Sequence, residues 1–361
     1  MVDDASPRQA SRPRPPSLRD LATKLGVSHT AVARGLRGDP GISPVLRRRI
    51  QEVARHHGYV VSDLTQALIT GQSDTVGVVV PTLRSSFVSE LADHLVQALW
   101  ESKLLPFVLC SELNLETEEQ MLRRLAAKRV DGVVMMPSRE DPGRDHFAQL
   151  LDQHTPIIAL NNPLPELNLP LVSSDDALGA RWVTEHLIEQ GHRHILHLGS
   201  ALDSPHADRR REEGYIDAMH RAGLRPRIVH SPKRLPAMSE LETLLADYLE
   251  SGAGADVTAI FCFNDNLALS AYRYAARRGL RIGRDLAVAG FGNVRGTPAP
   301  IPDPVDLIEP PLTTVEQRPA IMARQAVHAM RQLVQGKTVP KRIMVKPELI
   351  LRESTTGWAG R

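Results

Sequence analysis

The sequence predicts a small N-terminal head made of α-helices, followed by an α/β core of two doubly wound, parallel-sheet lobes. Three observations support this fold class: the basic charge of the first 60 residues, the helical spacing of their apolar residues, and the alternation of short apolar strands with amphipathic helices from Thr75 onward. With 361 residues, 42% of them apolar, the chain can bury a core large enough for several domains.

Charge divides the chain into a basic head and a slightly acidic body. Residues 1–60 contain 11 Lys or Arg and 5 Asp or Glu, a net charge of +6, whereas the whole chain has a net charge of +2. A basic module of this size suits a polyanion such as nucleic acid. Charge alone leaves open the alternative of a solvated basic tail.

Composition also excludes several classes of protein. The longest apolar runs are far shorter than the roughly 18 residues of a membrane helix, and no signal-peptide pattern opens the chain, so we expect a soluble cytoplasmic protein. Cys110 and Cys262 lie inside apolar runs, where small buried thiols are expected, and they predict neither a disulfide framework nor a zinc finger.

The head is predicted to contain three short helices after a disordered arm, residues 1–16, which is rich in Arg, Pro and Ser. The first helix follows Ser17, a good N-cap, and ends at Gly26. The second helix follows Ser28, and the third opens at Ser43. The first two helices and the tight turn between them have the spacing of a helix-turn-helix, whose second helix enters the DNA major groove.

The core shows near-continuous apolar strands separated by helices, which is typical of parallel sheets covered on both faces. We predict strands at 76–80, 107–110, 132–136, 157–160, 195–198, 259–263 and 286–289. We predict helices at 88–102, 117–128, 177–190, 211–222, 240–251 and 266–278. These elements would overfill one sheet, so we expect two lobes, with ligands near the carboxyl ends of the strands. The proline-rich stretch 292–311 is predicted to be a surface loop.

The core carries no arrangement of residues that predicts catalysis, a cofactor or a metal. Its Ser, His and Asp residues form no nucleophile elbow, and its glycines form no phosphate-binding loop. His192, His194 and His197 have a spacing that suggests metal ligands, but they straddle a turn and a strand and so point in different directions. We therefore expect a binding protein that is not an enzyme.

Several stretches follow one another along the chain in a recognisable order. The head reads SLRDLATKLGVSHTAVARGLRG and ISPVLRRRIQEVARHHGY, and the junction to the core reads LTQALITG and TVGVVVP. The core continues with VDGVVMMPS, SSDDALGARWVTEHLIEQGHRHILHLGS, RREEGYIDAM, FNDNLALSAYRYAARRGL and PPLTTVEQ. This ordered set, which runs to about residue 352, resembles the lactose-repressor (LacI/GalR) family of bacterial transcription regulators.

The resemblance implies a homodimeric repressor, located on the nucleoid, whose heads bind a two-fold related operator. It also implies a periplasmic-binding-protein-like core, in which a small-molecule effector changes how the heads are held. The expected segments are a head at 17–60, a hinge at 61–73, a first lobe at 74–161 and 317–339, a second lobe at 162–316 and 340–353, and a tail at 354–361.

By the same resemblance, a set of residues in the head and the hinge contacts DNA. His29, Thr30 and Arg34 lie where the family contacts base edges, and an Arg there can fork onto guanine O6 and N7. The residues expected to touch phosphates, which set the register of the protein on the duplex, are Ser17, Ser28 and Arg37. Leu68 lies at the position of a minor-groove wedge, which would unstack a base step and bend the duplex. For Arg34 the alternative is a solvated charge on the helix surface.

The second helix and the hinge depart from the family pattern. Ala31 and Ala33 replace hydroxyl side chains, which removes two expected phosphate partners. Gly35 replaces a branched apolar residue, and because glycine inside a helix costs about 1 kcal/mol relative to Ala, we expect this helix end to be frayed until DNA holds it. In the hinge, Asp63 opposes binding to phosphates unless it caps the helix, which is the role we expect.

The effector is expected between the lobes, in contact with residues at the family's cleft positions: Arg84, Ser85, Phe87, Ser138, Asn161, Asp175, Arg211, Asn264 and Asn293. Arg211 suits a carboxylate or phosphate, Asn264 suits a hydroxyl, and Phe87 either stacks on a ligand ring or packs in the lobe. Gly292-Asn293 stands where the family often has two Asp residues, one of which accepts hydrogen bonds from sugar hydroxyls. We therefore expect a sugar, a sugar acid or a sugar phosphate, with an anion matching Arg211 best.

Three alternatives remain at the level of the sequence. A periplasmic-type small-molecule binding protein without DNA function shares the core, but it predicts a signal peptide and no basic head. A nucleotide-binding enzyme needs a glycine-rich loop after the first strand, where the chain reads Pro81-Thr82-Leu83-Arg84. The third alternative is a regulator that has lost either its effector response or its DNA reading.

Overall fold

The computed structural model describes residues 16–36, 38–59, 72–139, 142–199, 201, 206–233, 236–293 and 308–358. The chain divides into two compact units, Met1–Ser73 and Asp74–Arg361. The first unit is the head and the second is the core.

The head contains the three predicted helices, α1 (Leu18–Leu25), α2 (His29–Leu36) and α3 (Pro44–His56). A capping box opens α1: the Asp20 amide donates to Ser17 Oγ at 3.3 Å, and the Ser17 amide donates to Asp20 Oδ2 at 2.7 Å. Gly26 ends α1 with a φ of 67°, a left-handed conformation that glycine adopts without strain. The three helices bury one small core, made of Leu21, Ala22, Leu25, Val32, Ile42, Ile50 and Ala54.

The core alternates strands and helices as predicted. In chain order its strands are β1 (Thr75–Val80), β2 (Leu105–Cys110), β3 (Gly132–Met135), β4 (Ile157–Leu160), β5 (Leu171–Ser174), β6 (Ile195–Gly199), β7 (Arg227–His230), β8 (Ala259–Cys262), β9 (Ala287–Ala289), β10 (Thr314–Glu316), β11 (Arg342–Val345) and β12 (Glu348–Ile350). Its α-helices are α4 (Ser86–Glu101), α5 (Leu115–Ala127), α6 (Ala148–Asp152), α7 (Asp176–Glu189), α8 (His206–Arg221), α9 (Met238–Leu249), α10 (Asp265–Arg278) and α11 (Pro319–Val334).

The first lobe is built on a fully parallel six-stranded sheet in the order β11-β5-β4-β3-β1-β2. Side chains of successive residues point to opposite faces of a strand, and β1 follows this rule. Val78 packs with α4 and α11 on one face, whereas Val79 packs with α5 and α6 on the other. The sheet is therefore covered on both sides, as the sequence predicted.

The second lobe is built on a parallel four-stranded sheet in the order β7-β6-β8-β9. Helices α9 and α10 cover one face, and α7 and α8 cover the other. An antiparallel pair, β10 and β12, continues beside β9, because single bridges join Thr313 to Ala289 and Glu316 to Gly292.

The short strands β5, β7, β10, β11 and β12 and the helices α6 and α11 were not predicted. Polar residues interrupt the apolar runs of these strands, as in RIVH of β7 and RIMV of β11, so the strands lack the sequence pattern of an inner strand. Their pairing moves the lobe boundaries. Ala159 of β4 lies opposite Leu171 of β5, and β5 in turn pairs with β11, so residues 162–174 and 340–345 belong to the first lobe and not to the second.

Among the described residues, no helix combines the length and the apolar character that crossing a membrane requires.

Candidate functional site

The start of α2 is exposed. His29 and Thr30 are exposed, and Val32 on the opposite side is fully buried in the core of the head. The exposed hydroxyl of Ser28 accepts a hydrogen bond from the Ala31 amide at 3.1 Å, which caps the helix. Two side chains predicted to contact bases therefore stand on a rigid helix start, the part of a recognition helix that contacts base edges.

Arg34 is held by an acidic partner within the head. Its Nε donates to Asp39 Oδ2 at 2.8 Å and its Nη2 donates to Asp39 Oδ1 at 3.2 Å, and this carboxylate raises the pKa of Arg34. Arg47 fixes the same loop by donating from Nη2 to the backbone oxygens of Asp39 and Ile42. The fork of donors that would bind guanine is thus already occupied, with 43% of the Arg34 side chain exposed.

Gly35 has a packing role that the sequence did not reveal. It is buried, and a Cβ at this position would overlap Cδ1 of Ile50, a fully buried residue of α3. We expected a frayed helix end, but α2 remains helical through Leu36 because α3 packs directly against this glycine. Arg37, Leu68 and most of the predicted hinge lie outside the described residues.

Arg211 is the central charged residue at the carboxyl edge of the second-lobe sheet. Its Nε donates to Asp176 Oδ2 at 2.9 Å, and its Nη1 donates to the Phe263 carbonyl oxygen at 2.7 Å. The rings of Phe263 and Phe291 lie 4.4 and 4.0 Å from the guanidinium carbon, in cation–π geometry. Arg211 and Asp176 are 5% and 3% exposed, so a buried ion pair replaces the free guanidinium that we expected.

Asp176 and Gln317 are functional candidates that the sequence did not reveal. Gln317 Nε2 donates to Asp176 Oδ1 at 3.1 Å, and Gln317 is 1% exposed. Asp176 therefore accepts from Arg211 on one oxygen and from Gln317 on the other. The doubled acid at 175–176 was the available signal, but we assigned the ligand role to Asp175.

Asp175 begins α7, which follows β5 of the first-lobe sheet, and Asn264 begins α10, which follows β8 of the second-lobe sheet. Asp175 Oδ1 accepts from the Leu178 amide at 3.2 Å at the start of α7, and Asn264 Oδ1 accepts from the Leu267 amide at 2.8 Å at the start of α10. Both side chains are half-buried N-caps. Capping fixes the positions of both side chains, and their contact with an effector stays a prediction.

Asn293 lies between two charged side chains. Its Nδ2 donates to Glu316 Oε2 at 2.9 Å, and its Oδ1 accepts from Arg352 Nη2 at 2.8 Å. Asn293 is buried, whereas Glu316 is half-buried. Gly292 stands where the family often has an Asp, and the carboxylate of Glu316, from β10, lies beside this position.

The predicted residues of the first lobe have different environments. The Arg84 side chain is 76% exposed, and Ser85 occupies the N-cap position of α4 without a capping hydrogen bond. Phe87 is half-buried and packs against the apolar cluster between the sheet and α4. This packing agrees with one of the two roles expected for Phe87, and stacking on a ligand ring stays a prediction.

Ser138 belongs to a buried network behind the edge of the first-lobe sheet. Its Oγ donates to Glu118 Oε2 at 2.6 Å, and its amide donates to the same oxygen at 3.0 Å. The ring of His146 lies 3.0 Å from Glu118 Oε1, and Ser111 Oγ lies 3.1 Å from Ser138 Oγ. Glu118 and Ser138 are nearly inaccessible, so this network holds the loops after β2 and β3 in place.

Asn161 and its neighbours form the end of β4. Asn161 adopts a left-handed φ of 56°, which Asn tolerates, and its Oδ1 accepts from Ser173 Oγ at 3.4 Å. Asn162, the next residue, donates from Nδ2 to the Pro137 carbonyl oxygen at 3.0 Å. The carboxyl ends of β3, β4 and β5 are thus joined by side-chain amides.

The three histidines with metal-like spacing go to separate places. His192 is buried against Thr258 and Trp358, and burial lowers its pKa to about 4. His197 is buried between Tyr215 and Phe261, and burial lowers its pKa to about 3. His194 lies at the surface, 3.1 Å from Asp256. Their surroundings match the divergence that the sequence predicted.

Similarity to known proteins extends over nearly the whole chain. Residues 184–355 match a family described as a periplasmic binding protein-like domain. The chain is 30% identical over 364 residues to an uncharacterised HTH-type transcriptional regulator in the aml 5′ region of Streptomyces limosus, covering 98% of each chain. It is 29% identical over 347 residues to the HTH-type transcriptional repressor CytR of Escherichia coli K12, covering 94% of this chain and 96% of that one.

Solved structures give the same result for the fold. A lac repressor dimer bound to operator and the anti-inducer ONPF has a TM-score of 0.83 at 23% identity, covering 95% of this chain and 100% of that chain. A complex of the transcriptional regulator CelR with cellobiose has a TM-score of 0.66 at 26% identity, covering 94% of this chain and 99% of that one.

Proposed function

Since this chain belongs to the lactose-repressor (LacI/GalR) family of bacterial transcription regulators, we propose that it is a homodimeric repressor that binds a two-fold related operator on the nucleoid. The observation that carries the proposal is the exposed start of α2, held rigidly on a buried three-helix core. A dimer presents two such helices, and the spacing of the operator half-sites follows from their separation.

His29 and Thr30 read base edges directly in this proposal, and Ser17 and Ser28 contact phosphates. Arg34 reaches a guanine only after it exchanges the Asp39 carboxylate for the base, because the same nitrogen donors serve both. Breaking the Arg34–Asp39 pair costs free energy, and this cost lowers the net gain from the contact of Arg34 with guanine. We therefore expect modest affinity from one head and strong dependence on the dimer.

The effector is a small polyhydroxylated molecule bound at the carboxyl ends of the core strands. The sequence led us to favour an anion for Arg211, but the buried Asp176 already neutralises this guanidinium, which supports a neutral ligand instead. An anion placed there would have to compete with Asp176 for the same charge. Relatives support a carbohydrate, since CelR was solved with cellobiose and a LacI-family regulator from Enterococcus faecium with ribose.

Effector binding is coupled to the lobes through Asp176 and Gln317. Three connections cross between the lobes: β5 to α7, β10 to α11 and β11 to β12. Asp176 lies on the first connection and Gln317 on the second, and their hydrogen bond joins the two. A ligand that changes the bonds of Arg211 also changes this junction, and the resulting lobe movement biases the heads of the dimer.

The DNA part of the proposal is tested by selecting binding sites for the full-length protein from a random-sequence duplex pool. We expect enrichment of one inverted repeat and a dimer stoichiometry on it. As a matched control, the change His29→Ala should alter the enriched half-site, whereas Thr23→Ala, an exposed position on α1, should leave it unchanged. Recovery of unrelated sequences by the wild-type protein would refute sequence-specific binding.

The effector part is tested by thermal shift of the full-length protein with sugars, sugar acids and sugar phosphates, since a ligand of the native state raises its stability. The expected result is a shift with a neutral sugar that also changes operator affinity. A ligand shift combined with no DNA binding would instead favour the alternative, a periplasmic-type binding protein without DNA function.

A further inference from the structure

Two buried side-chain oxygens at the carboxyl edge of the first-lobe sheet lack a hydrogen-bond partner within the described parts of the chain. They are Asn162 Oδ1 and Ser174 Oγ, and their residues are 4% and 2% exposed. Asn162 follows β4 and Ser174 ends β5, and these strands are neighbours in the sheet. Buried polar atoms without partners are rare in folded proteins, because they lose their water without a replacement.

The orientation of Asn162 is fixed by its nitrogen. Nδ2 donates to the Pro137 carbonyl oxygen at 3.0 Å, and a flipped amide would bring two oxygens together instead. Oδ1 is therefore directed away from Pro137. The hydroxyl of the adjacent Ser173, in contrast, has partners. Its Oγ donates to the Ser174 carbonyl oxygen at 3.0 Å and approaches Asn161 Oδ1 at 3.4 Å. The missing partners thus distinguish Asn162 and Ser174 from the polar residues beside them.

We propose that Asn162 and Ser174 form a subsite that binds one alcohol group of the effector, a proposal that rests on the proposed function of the core. An amide oxygen only accepts hydrogen bonds, whereas a serine hydroxyl donates and accepts. An alcohol that reaches both oxygens would satisfy both residues, because its hydrogen would go to Asn162 Oδ1 and its oxygen would accept from Ser174 Oγ. A carboxylate or a phosphate dianion has no hydrogen to give, so it would leave Asn162 Oδ1 facing negative charge.

The position of the subsite agrees with the second-lobe residues. Ser174 stands two residues before Asp176, on the connection from the first lobe to the second, and Asp176 holds Arg211. A ligand bound at the carboxyl edges of both sheets would therefore meet the alcohol subsite on one lobe and the neutralised Arg211–Asp176 pair on the other. The two residues of the subsite are uncharged, and the charges of Arg211 and Asp176 cancel each other.

A measurement without ligand tests whether the Ser174 hydroxyl is unpartnered. In the full-length protein, Ser174→Ala should leave the Tm unchanged or raise it, because it removes a buried group that makes no hydrogen bond. The matched change Ser173→Ala removes a bonded hydroxyl from the adjacent residue and should lower the Tm. If Ser174→Ala lowers the Tm as much as Ser173→Ala does, the hydroxyl is already satisfied, and the subsite proposal is wrong.

Titration calorimetry tests the ligand, with D-glucose, D-ribose, cellobiose, D-gluconate and D-glucose 6-phosphate as probes. We expect a neutral sugar to bind the wild-type protein, and Ser174→Ala and Asn162→Ala each to weaken it roughly tenfold, the effect of one hydrogen bond. As a control, Thr184→Ala, which removes a buried hydroxyl bonded to the Ala180 carbonyl oxygen within α7, should bind within about twofold of wild type. Because Asn162→Ala also removes the bond to Pro137, the fold of this variant is checked by circular dichroism. If Asn162→Ala unfolds, Ser174→Ala still tests the subsite.

The outcomes separate this inference from the proposed function. Wild-type affinity for the sugar in Ser174→Ala would overturn the subsite while the effector function stands. Tighter binding of D-gluconate than of D-glucose by the wild-type protein would instead refute the neutral effector of the proposed function, because gluconate also carries alcohol groups that the subsite can bind. If no probe binds and operator affinity never changes, the carbohydrate effector itself is refuted, and the Tm comparison of the two serines still decides whether the hydroxyl is unpartnered.

Discussion

The buried pair of Asp176 and Arg211 yields a quantitative prediction for the change Asp176→Asn. The variant keeps the size of the side chain and one acceptor oxygen, but it leaves the guanidinium uncompensated between two phenylalanine rings. Removing one partner of a buried ion pair costs about 3–5 kcal/mol, and the retained acceptor places this variant near 3 kcal/mol. For lobes of this size, that loss lowers the Tm by roughly 6–12 °C.

The neighbouring carboxylate supplies the control. Asp175→Asn removes a charge at the adjacent position, but Asn caps a helix as well as Asp does, so the Tm should stay within about 2 °C of wild type. Thermal unfolding of both full-length variants is followed by circular dichroism at neutral pH. The double change Asp176→Leu with Arg211→Met should recover most of the lost stability, because it removes both buried charges. Equal Tm values for the two Asn variants would refute the role assigned to the pair.

Three further predictions concern the head, the second lobe and pH. Arg34→Ala should weaken the sequence preference at one operator base pair by about 1–3 kcal/mol in competition binding, whereas Asp39→Ala should keep this preference. Equal weakening of binding to random DNA would mean that Arg34 touches only phosphate. Gly214→Ala should destabilise the protein by about 2–3 kcal/mol in urea unfolding, because the new Cβ would overlap the backbone of α7. Gly252→Ala should be near neutral, because a Cβ there would meet open space. Similar urea midpoints for the two variants would contradict this prediction. Burial lowers the pKa of His192 to about 4, so the unfolded chain takes up a proton at a higher pH than the folded chain does, and about 3 kcal/mol of stability is lost as pH falls from 6.5 to 4. The urea midpoint of His192→Phe should therefore depend less steeply on pH than that of the wild type. An equal slope would exclude His192 as a cause of the acid destabilisation.

Much of the fold follows from local patterns, and the structure confirms them where the pattern is strong. The strand at Thr75–Val80 is a run of five valine or glycine residues after a threonine, and only an inner parallel strand suits it. The helices of the head were predicted from caps at Ser17 and Ser43, which act within three residues of themselves. Strands such as Arg342–Val345 were missed because their place in the sheet depends on a distant partner, Leu171–Ser174.

The candidate site was predictable as a set of residues but not as a set of bonds. The resemblance pointed to Arg211 and Asn264, yet nothing near Arg211 in the sequence indicated that Asp176, 35 residues away, neutralises it. For Gly35, helix propensity predicts a weak helix end, whereas the structure shows that packing against Ile50 requires a residue without a side chain. In both cases a tertiary contact outweighed a local preference.

The sequence by itself determined the class of protein: a basic helical head, an α/β core and an ordered series of motifs, all of which are local in the chain. The tertiary structure decided the charge and polarity that a ligand meets. It joined Asp176 to Gln317 across 141 residues and to Arg211, moved two strands into the first lobe, and left Asn162 and Ser174 with unpartnered oxygens. These properties arise because burial removes water, so each polar atom depends on partners that only the folded chain brings near.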